Sequence, residues 1–288
     1  MPNVMQAKAG PYDGLGKAHW HQAIFAEPTT MSSSLPPVLP PELLDEIVDH
    51  LHDQPTTLSA CCVVSKSWVP RARRHLFFRV KFGSASRIES WKKAFPDPSS
   101  SPAHHVRILI LKPIAGSWFR SFHHIEGLQI VEDFSIFRLS HFLLHGLSSP
   151  TLKTLYLQCP SAPPQEILEL VCSFPLLENL SLHLHKYYPA STVIGGWDPP
   201  SNFPKFIRSL HLSGEGVLPV THMLLRLPAN ALRFSKIEVL CNIESAGLTT
   251  DLVLRNSATL ETLCIGYYSM SMFLRCLWLV IISLLKYL

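Results

Sequence analysis

The chain has 288 residues, of which 47% are hydrophobic and 16% charged, a composition typical of a folded protein rather than a disordered one. Its 25 Lys and Arg residues against 21 Asp and Glu residues give a net charge of +4 without a long basic run, so the sequence does not predict nucleic-acid binding. The seven cysteines contain no CxxC pair, which favours reduced core cysteines and a cytoplasmic or nuclear protein.

Residues 1–34 are expected to be disordered, because they contain scattered Gly, Pro and His and lack the apolar segment of a secretion signal. Residues 35–82 are expected to form a small helical module. Its first helix is predicted to begin near Pro41, because Leu43, Ile47 and Leu51 recur every four residues and proline suits a first helical turn.

Two further short helices are predicted in this module, one over 58–64 with Thr56 or Thr57 as its N-cap and one over 67–76. The first helix has a second apolar stripe, Leu44 and Val48, beside the first one. A unit of about forty residues is near the lower limit for a self-sufficient core. Helices that are apolar on two sides therefore indicate that one side meets a partner.

The order of these residues resembles the F-box in the form common in fungal proteins. Its Leu-Pro entry is followed at the expected separation by Val64-Ser65-Lys66-x-Trp68, although many family members have Cys at Ser65. The resemblance implies a trihelical module that docks on the Skp adaptor of a cullin-based ubiquitin ligase. The alternative is a set of core residues in a small helical domain. Position by position, the implied contact face or its support comprises Leu39, Pro40, Leu43, Ile47, Leu51, Leu58, Val64 and Trp68.

Residues 83–104 are expected to be a linker, and residues 105–268 contain a recurring pattern of the form apolar-x-x-apolar-x-apolar. Its copies start 19 to 30 residues apart, which is the range of leucine-rich repeats. The alternation at the end of each copy predicts a short strand, and 139–147, 164–172 and 249–257 are predicted helices between copies. The seven copies start at Val106, Ile125, Leu152, Leu177, Ile207, Phe234 and Leu260.

This pattern is similar to the irregular leucine-rich repeats that follow the F-box in many fungal proteins, except that it lacks their ladder of Asn or Cys after each strand. The resemblance implies a stacked solenoid, and the alternative is an ordinary α/β domain in which Leu-x-Leu strands are common. The fold class expected from the sequence is thus α/β, with an N-terminal trihelical F-box followed by an irregular leucine-rich-repeat solenoid.

Outward positions of the predicted strands, and an aromatic residue in the long loop 186–204, are candidates for contact with a target protein. The loop's tryptophan has the alternative of packing back on the repeats. The candidates are Tyr156, Gln158, His183, His211 and Trp197. No motif for a metal, a cofactor or a catalytic group is present in the sequence, so neither a cofactor nor enzymatic activity is expected.

Residues 269–288 form a hydrophobic tail with three alternatives: a buried final helix that covers the edge of the repeats, the product of a misread or truncated gene, or a membrane anchor. The anchor is disfavoured because the uncharged run is about ten residues and a membrane span needs roughly twenty.

The function expected from the resemblance is that of a substrate-recognition adaptor in a Skp-cullin-F-box ubiquitin ligase. Its partners would be a Skp-type adaptor, a cullin reached through that adaptor, and an unknown target protein, without nucleic acid and without a membrane. The alternatives are a tail-anchored leucine-rich-repeat binding protein and an F-box scaffold that works outside the ligase.

Overall fold

A computed structural model describes residues 39–97, 101–112, 122–131, 149–158, 163–184, 202–242, 246–268 and 277–282. The chain divides into two compact units, with the boundary between Leu76 and Phe77. Each unit has a hydrophobic core of its own.

The described part of the first unit, residues 39–76, contains three helices, α1 (Pro41–His50), α2 (Pro55–Val64) and α3 (Val69–Leu76). Proline occupies the first turn of α1 and of α2, where its missing N–H leaves no helical hydrogen bond unmade. The second helix thus starts three residues before the predicted 58–64, and its N-cap is Gln54 rather than a threonine. The buried core of this unit consists of Val48, Leu58, Cys61 and Ala72.

The second unit is built around a sheet whose strands pair in the order in which they occur in the chain. The first eight strands are all parallel, and the ninth pairs antiparallel with the eighth. Their bounds are β1 (Arg79–Phe82), β2 (Ile108–Leu111), β3 (Gly127–Val131), β4 (Thr154–Gln158), β5 (Asn179–His183), β6 (Ser209–Ser213), β7 (Lys236–Asn242), β8 (Thr262–Tyr268) and β9 (Leu277–Ile282).

One face of this sheet is covered and the other is open, as the alternation of side chains requires. The inward leucines form rows, such as Leu155, Leu180 and Leu210, that are 0 to 1% exposed. They share one core with the buried residues of helices that connect the strands. These helices are α4 (Ala85–Ala94), α5 (Pro164–Cys172), α6 (Val217–Arg226) and α7 (Ala246–Arg255).

The fold-class prediction, a trihelical F-box followed by a leucine-rich-repeat solenoid, is wrong. The described residues form an α/β fold with seven helices and a single sheet whose eight successive strands are all parallel, so only the α/β class is confirmed. The apolar-x-x-apolar-x-apolar pattern is also compatible with parallel strands that are buried on one face of an α/β sheet. The sheet also begins at Arg79, inside the segment that the sequence assigned to the helical module.

The predicted strands, helices, linker and tail agree with the structure to different extents. The strand ends of all seven pattern copies lie in β2 to β8, and the predicted helix over 164–172 is α5. The stretch 83–104, expected as a linker, contains α4 and a short 3₁₀ helix, Pro102–His105. Residues 1–38 and the predicted helix over 139–147 lie outside the described residues. In the tail, the described part is strand β9 and not a helix.

Candidate functional site

Helix α1 presents one apolar stripe to solvent and another to the core of the helical unit. Leu43 and Ile47 are each 46% exposed, although they lie one turn apart on the same helix face. Val48, on the other stripe, is 1% exposed. Because Leu43 and Ile47 have no role in the core, this stripe is available to another molecule.

The eight residues assigned to adaptor docking separate into exposed and internal members. Leu39 is 49% exposed, Val64 is 72% exposed, and Pro40 is exposed as well. Leu58 is buried, while Leu51 and Trp68 are half-buried and pack against the helical core. The internal three therefore support the helices that present the other five.

Val63 is 62% exposed, and the sequence analysis missed it. A signal was present, because Val63 and Val64 are the last two residues of α2 and a helix of ten residues cannot bury every member of an apolar run.

Asp49 fixes α1 relative to α3. Its carboxylate accepts hydrogen bonds from the Arg71 guanidinium at two nitrogens, and the Nε2 atom of His75 lies 2.7 Å from its Oδ1. The Arg71 hydrogen bond, followed by that of His75, holds the pKa of the Asp49 carboxyl far below its usual range despite partial desolvation. This ion pair orients the helix that presents Leu43 and Ile47.

The open face of the sheet brings four of the five target-contact candidates into neighbouring positions. In one row across the strands, Gln129, Tyr156, Ser181 and His211 are successive register partners. In the next row, Gln158 is opposite His183, which is opposite Ser213. The fifth candidate, Trp197, lies outside the described residues.

The side chains of these two rows are polar, and some of them contact one another. The Nδ1 atom of His183 lies 2.6 Å from Ser213 Oγ, and His211 Nδ1 lies 3.4 Å from Glu238 Oε2. Tyr156 is half-buried, and desolvation raises the pKa of its hydroxyl. The phenol is therefore neutral at physiological pH and able to donate a hydrogen bond.

A row of charged residues at the start of the strands was missed by the sequence analysis. The residue before β2, β3, β4, β5 and β6 is Arg107, Glu126, Lys153, Glu178 and Arg208, respectively. Backbone hydrogen bonds continue the ladder through these residues, for example from the N–H of Glu178 to the carbonyl of Lys153, 2.8 Å. The signal was a charge directly before each Leu-x-Leu strand, which is visible once the copies are aligned.

A shallow concavity of about 370 Å³ lies over this end of the open face. It spans β2 to β5 and extends to Phe78, which precedes β1 and is 44% exposed. Its floor is apolar at Ile108 and Tyr156, and its charged lining residues are Arg107, Glu126, Lys153 and Glu178.

The described residues provide little for redox or metal chemistry. Among them, no group of three His, Cys, Asp or Glu side chains converges as metal ligands would. Burial raises the pKa of the Cys172 thiol to about 11 and also raises that of Cys241. Such thiols stay protonated and are poor nucleophiles.

The fold and the two surfaces define an α/β protein that exposes apolar side chains on a small helical unit and a polar sheet face on a larger unit. Comparison of the chain with family models, curated proteins and solved structures gives no match. Within the described residues, no helix has the length and apolarity that a membrane crossing requires.

Proposed function

We propose that the chain is a substrate-recognition adaptor of a Skp-cullin-F-box ubiquitin ligase. In this role residues 39–76 dock on a Skp-type adaptor protein, which links the chain to a cullin, and the open face of the sheet holds a target protein. The compartment proposed with this function is the cytoplasm or the nucleus, where such ligases work and where unpaired cysteines stay reduced.

The observation that supports adaptor docking is the exposure of Leu43 and Ile47 on a helix whose opposite stripe is already buried. Transfer of an apolar side chain from water into an interface contributes about 1.5–3 kcal/mol when its burial is complete. Leu43 and Ile47 each retain 46% of their accessible area, so a large part of that contribution remains for a partner. The motif resemblance selects a Skp-type adaptor as this partner.

The proposed contribution to ligation is proximity rather than chemistry. A target held on one unit, while the other unit is fixed to the ligase, is kept at high effective concentration near the enzyme that transfers ubiquitin. No catalytic residue of this chain takes part in such a mechanism. The polar and aromatic character of the row Gln129, Tyr156, Ser181 and His211 suits reversible binding of a protein surface.

The test is co-purification of the full chain with a Skp-type adaptor and a cullin. The double variant Leu43→Asp, Ile47→Asp should lose the adaptor, because an unpaired carboxylate in an apolar contact is strongly unfavourable. A matched control is Leu176→Asp, Leu254→Asp, which makes the same change at two leucines of the second unit that are 43% and 65% exposed. The control should bind like the wild type.

Three outcomes of this experiment are decisive. Retention of the adaptor by a folded Leu43→Asp, Ile47→Asp variant would refute the docking surface. Equal loss in both double variants would indicate that any exposed carboxylate pair disrupts the protein. Capture of the adaptor without the cullin would show a scaffold outside the ligase instead of a substrate receptor.

A further inference from the structure

The charges on the open face of the sheet are unevenly distributed. Across β1 to β4, the described outward strand positions and the described residues that flank the strands include five cations and one anion, Glu126. Glu132, which follows β3 in the sequence, lies outside the described residues. Across β5 to β8, the corresponding positions include Arg208 and Lys236 against Glu178, Glu238 and Glu261. The five cations, called the basic face below, are Arg79, Lys81, Arg107, Lys112 and Lys153.

Among the described residues, most of these cations have no polar partner. Arg107 donates to the carbonyl of His124, 3.1 Å, and its Nε lies 3.7 Å from Glu126 Oε1. The side chains of Arg79, Lys81, Lys112 and Lys153 make no hydrogen bond or ion pair with any part of the chain that the structure describes. Lys81, Lys112 and Lys153 are exposed, so their charge is directed to solvent and to any approaching molecule.

Apolar side chains lie beside the basic face, in a concavity whose charged lining residues are Arg107 and Lys153 together with Glu126 and Glu178. Arg79 is the register partner of Ile108, and Lys81 is the partner of Ile110, which is 8% exposed. Phe78, immediately before Arg79, is 44% exposed, and Tyr156 closes the floor on the other side. The concavity of about 370 Å³ between them has room for one large side chain.

We infer that the basic face binds an acidic, extended peptide segment of the target, with an aromatic or large aliphatic side chain in the concavity between Phe78 and Tyr156. This inference rests on the proposed function, whose target surface it specifies. Four strand spacings separate β1 from β5, which is about 19 Å and corresponds to about six extended residues. The charge complementarity steers association, and the apolar side chain contributes the buried area.

The probe is a fluorescein-labelled peptide of about eight residues with Asp and Glu on both sides of one central Trp. Its binding to the full chain is measured by fluorescence polarisation. Two control peptides replace the acids by Asn and Gln, or the Trp by Ser, and both should bind at least about tenfold more weakly. Binding of the acidic peptide should also weaken as salt is raised.

The matched protein variants change charge equally at two ends of the same face. The double variant Lys81→Glu, Lys153→Glu should bind the acidic peptide about tenfold more weakly than the wild type. The double variant Arg208→Glu, Lys236→Glu should change the affinity for this peptide by less than about twofold. Equal weakening by both pairs would overturn the inference, because net charge alone would then explain binding. Absence of binding up to about 1 mM, or equal binding of the Asn and Gln peptide, would overturn it as well.

Two additional measurements separate the remaining explanations. If a single-stranded RNA displaces the peptide at a lower concentration than the unlabelled peptide does, the basic face reads phosphates and the inference fails. Both variant pairs are also tested for co-purification with the Skp-type adaptor, which neither should affect. If the wild-type chain does not bind the adaptor, the proposed function is refuted and the peptide result still stands. If the wild-type chain binds the adaptor but not the acidic peptide, only this inference is refuted.

Discussion

Asp49 links the first and third helices of the helical unit, because its carboxylate accepts hydrogen bonds from both Arg71 and His75. Asp49→Asn removes the negative charge, and we expect it to destabilise residues 41–76 by about 1 kcal/mol, the upper end for ion pairs that solvent reaches. Amide hydrogen exchange of α1 to α3 in the full chain measures this loss of stability. The control Glu46→Gln, an exposed change on the same helix, should alter exchange little.

The effect of Asp49→Asn should depend on pH in a defined direction. The pKa of Asp49 in the folded protein is lower than its ordinary value, about 3.9 in an unfolded chain. Its stabilisation is therefore complete above that ordinary value and is lost as the pH falls towards the lowered pKa. The difference between wild type and variant should be largest near pH 7 and shrink near about pH 3. A difference that grew with acid would contradict the assigned ion pair.

Gly214 is a second residue whose identity the structure requires. Its φ is +97°, in the left-handed region, and an added Cβ would overlap the carbonyl oxygen of Leu184. That oxygen accepts a hydrogen bond from the N–H of Gly216, 2.9 Å, so it is not free to move away. The chain therefore turns sharply at Gly214, directly after β6.

Gly214→Ala should lower the free energy of unfolding by about 2 kcal/mol or more. Urea unfolding followed by circular dichroism gives the value. The matched control is Gly247→Ala in the first turn of α7, where no atom of the described residues lies within 4 Å of an added Cβ. The control should be unchanged or more stable by up to about 1 kcal/mol. Equal effects of the two substitutions would show that the turn at Gly214 tolerates a side chain.

At the scale of elements, α4 protects the first edge of the sheet core with an aromatic cluster. Trp91 packs edge-on against Phe77 and Phe82, with ring centroids 5.7 and 5.5 Å apart, and also contacts Phe95 and Phe122. Such edge-to-face contacts add to the stabilisation that burial provides. The cluster thus helps to shield from solvent the inward residues of β1, such as Phe82.

Trp91→Ala should lower the stability of the sheet by about 3 kcal/mol, because it removes a large ring from a packed cluster. Hydrogen exchange should show the loss first in β1, which α4 contacts, and later in β6 and β7. Lys93→Ala, an exposed change in the same helix, is the control. Uniform loss of protection across all strands would show that the sheet opens as one cooperative unit.

The strands were largely predictable from the sequence, whereas their arrangement was not. Leu155 and Leu157 have the alternation of a half-buried strand, and they lie on the inward side of β4. Strand β1, Arg79–Phe82, has the same alternation, but it lies within residues 35–82, which were interpreted as part of the helical module. A short stretch of sequence does not reveal the register between strands, because the residues that pair across neighbouring parallel strands are 19 to 30 positions apart.

The candidate site was predictable to the extent that exposure follows from periodicity. Leu43 and Ile47 belong to one of the two apolar stripes of α1, and the other stripe contains Val48, which is buried in the core of the helical unit. The basic face required the fold, because Arg79, Lys112 and Lys153 are far apart in sequence and meet only when parallel strands pair in order. Long-range charge placement of this kind has no local signal in the sequence.

At the scale of the whole molecule, the two units differ greatly in the size of their cores. Residues 39–76 of the helical unit bury four apolar residues, among them Leu58 at 1% exposure, and the described strands of the second unit bury rows of leucines across the sheet. A unit of this small size is close to the limit of independent stability. Each core is nevertheless built from residues of its own unit alone.

The same truncation should therefore have different consequences in the two cores. A Leu→Ala substitution in a core lowers the free energy of unfolding by about 2–5 kcal/mol. Leu58→Ala should unfold the helical unit and abolish co-purification of the Skp-type adaptor while the strands keep their hydrogen-exchange protection. Leu180→Ala should lower protection in the strands and leave that of α1 to α3 unchanged, because the large sheet core absorbs the loss without unfolding. If Leu58→Ala removed protection from β4 and β5 as well, the two cores would be one cooperative structure, and adaptor docking would be coupled to the target surface.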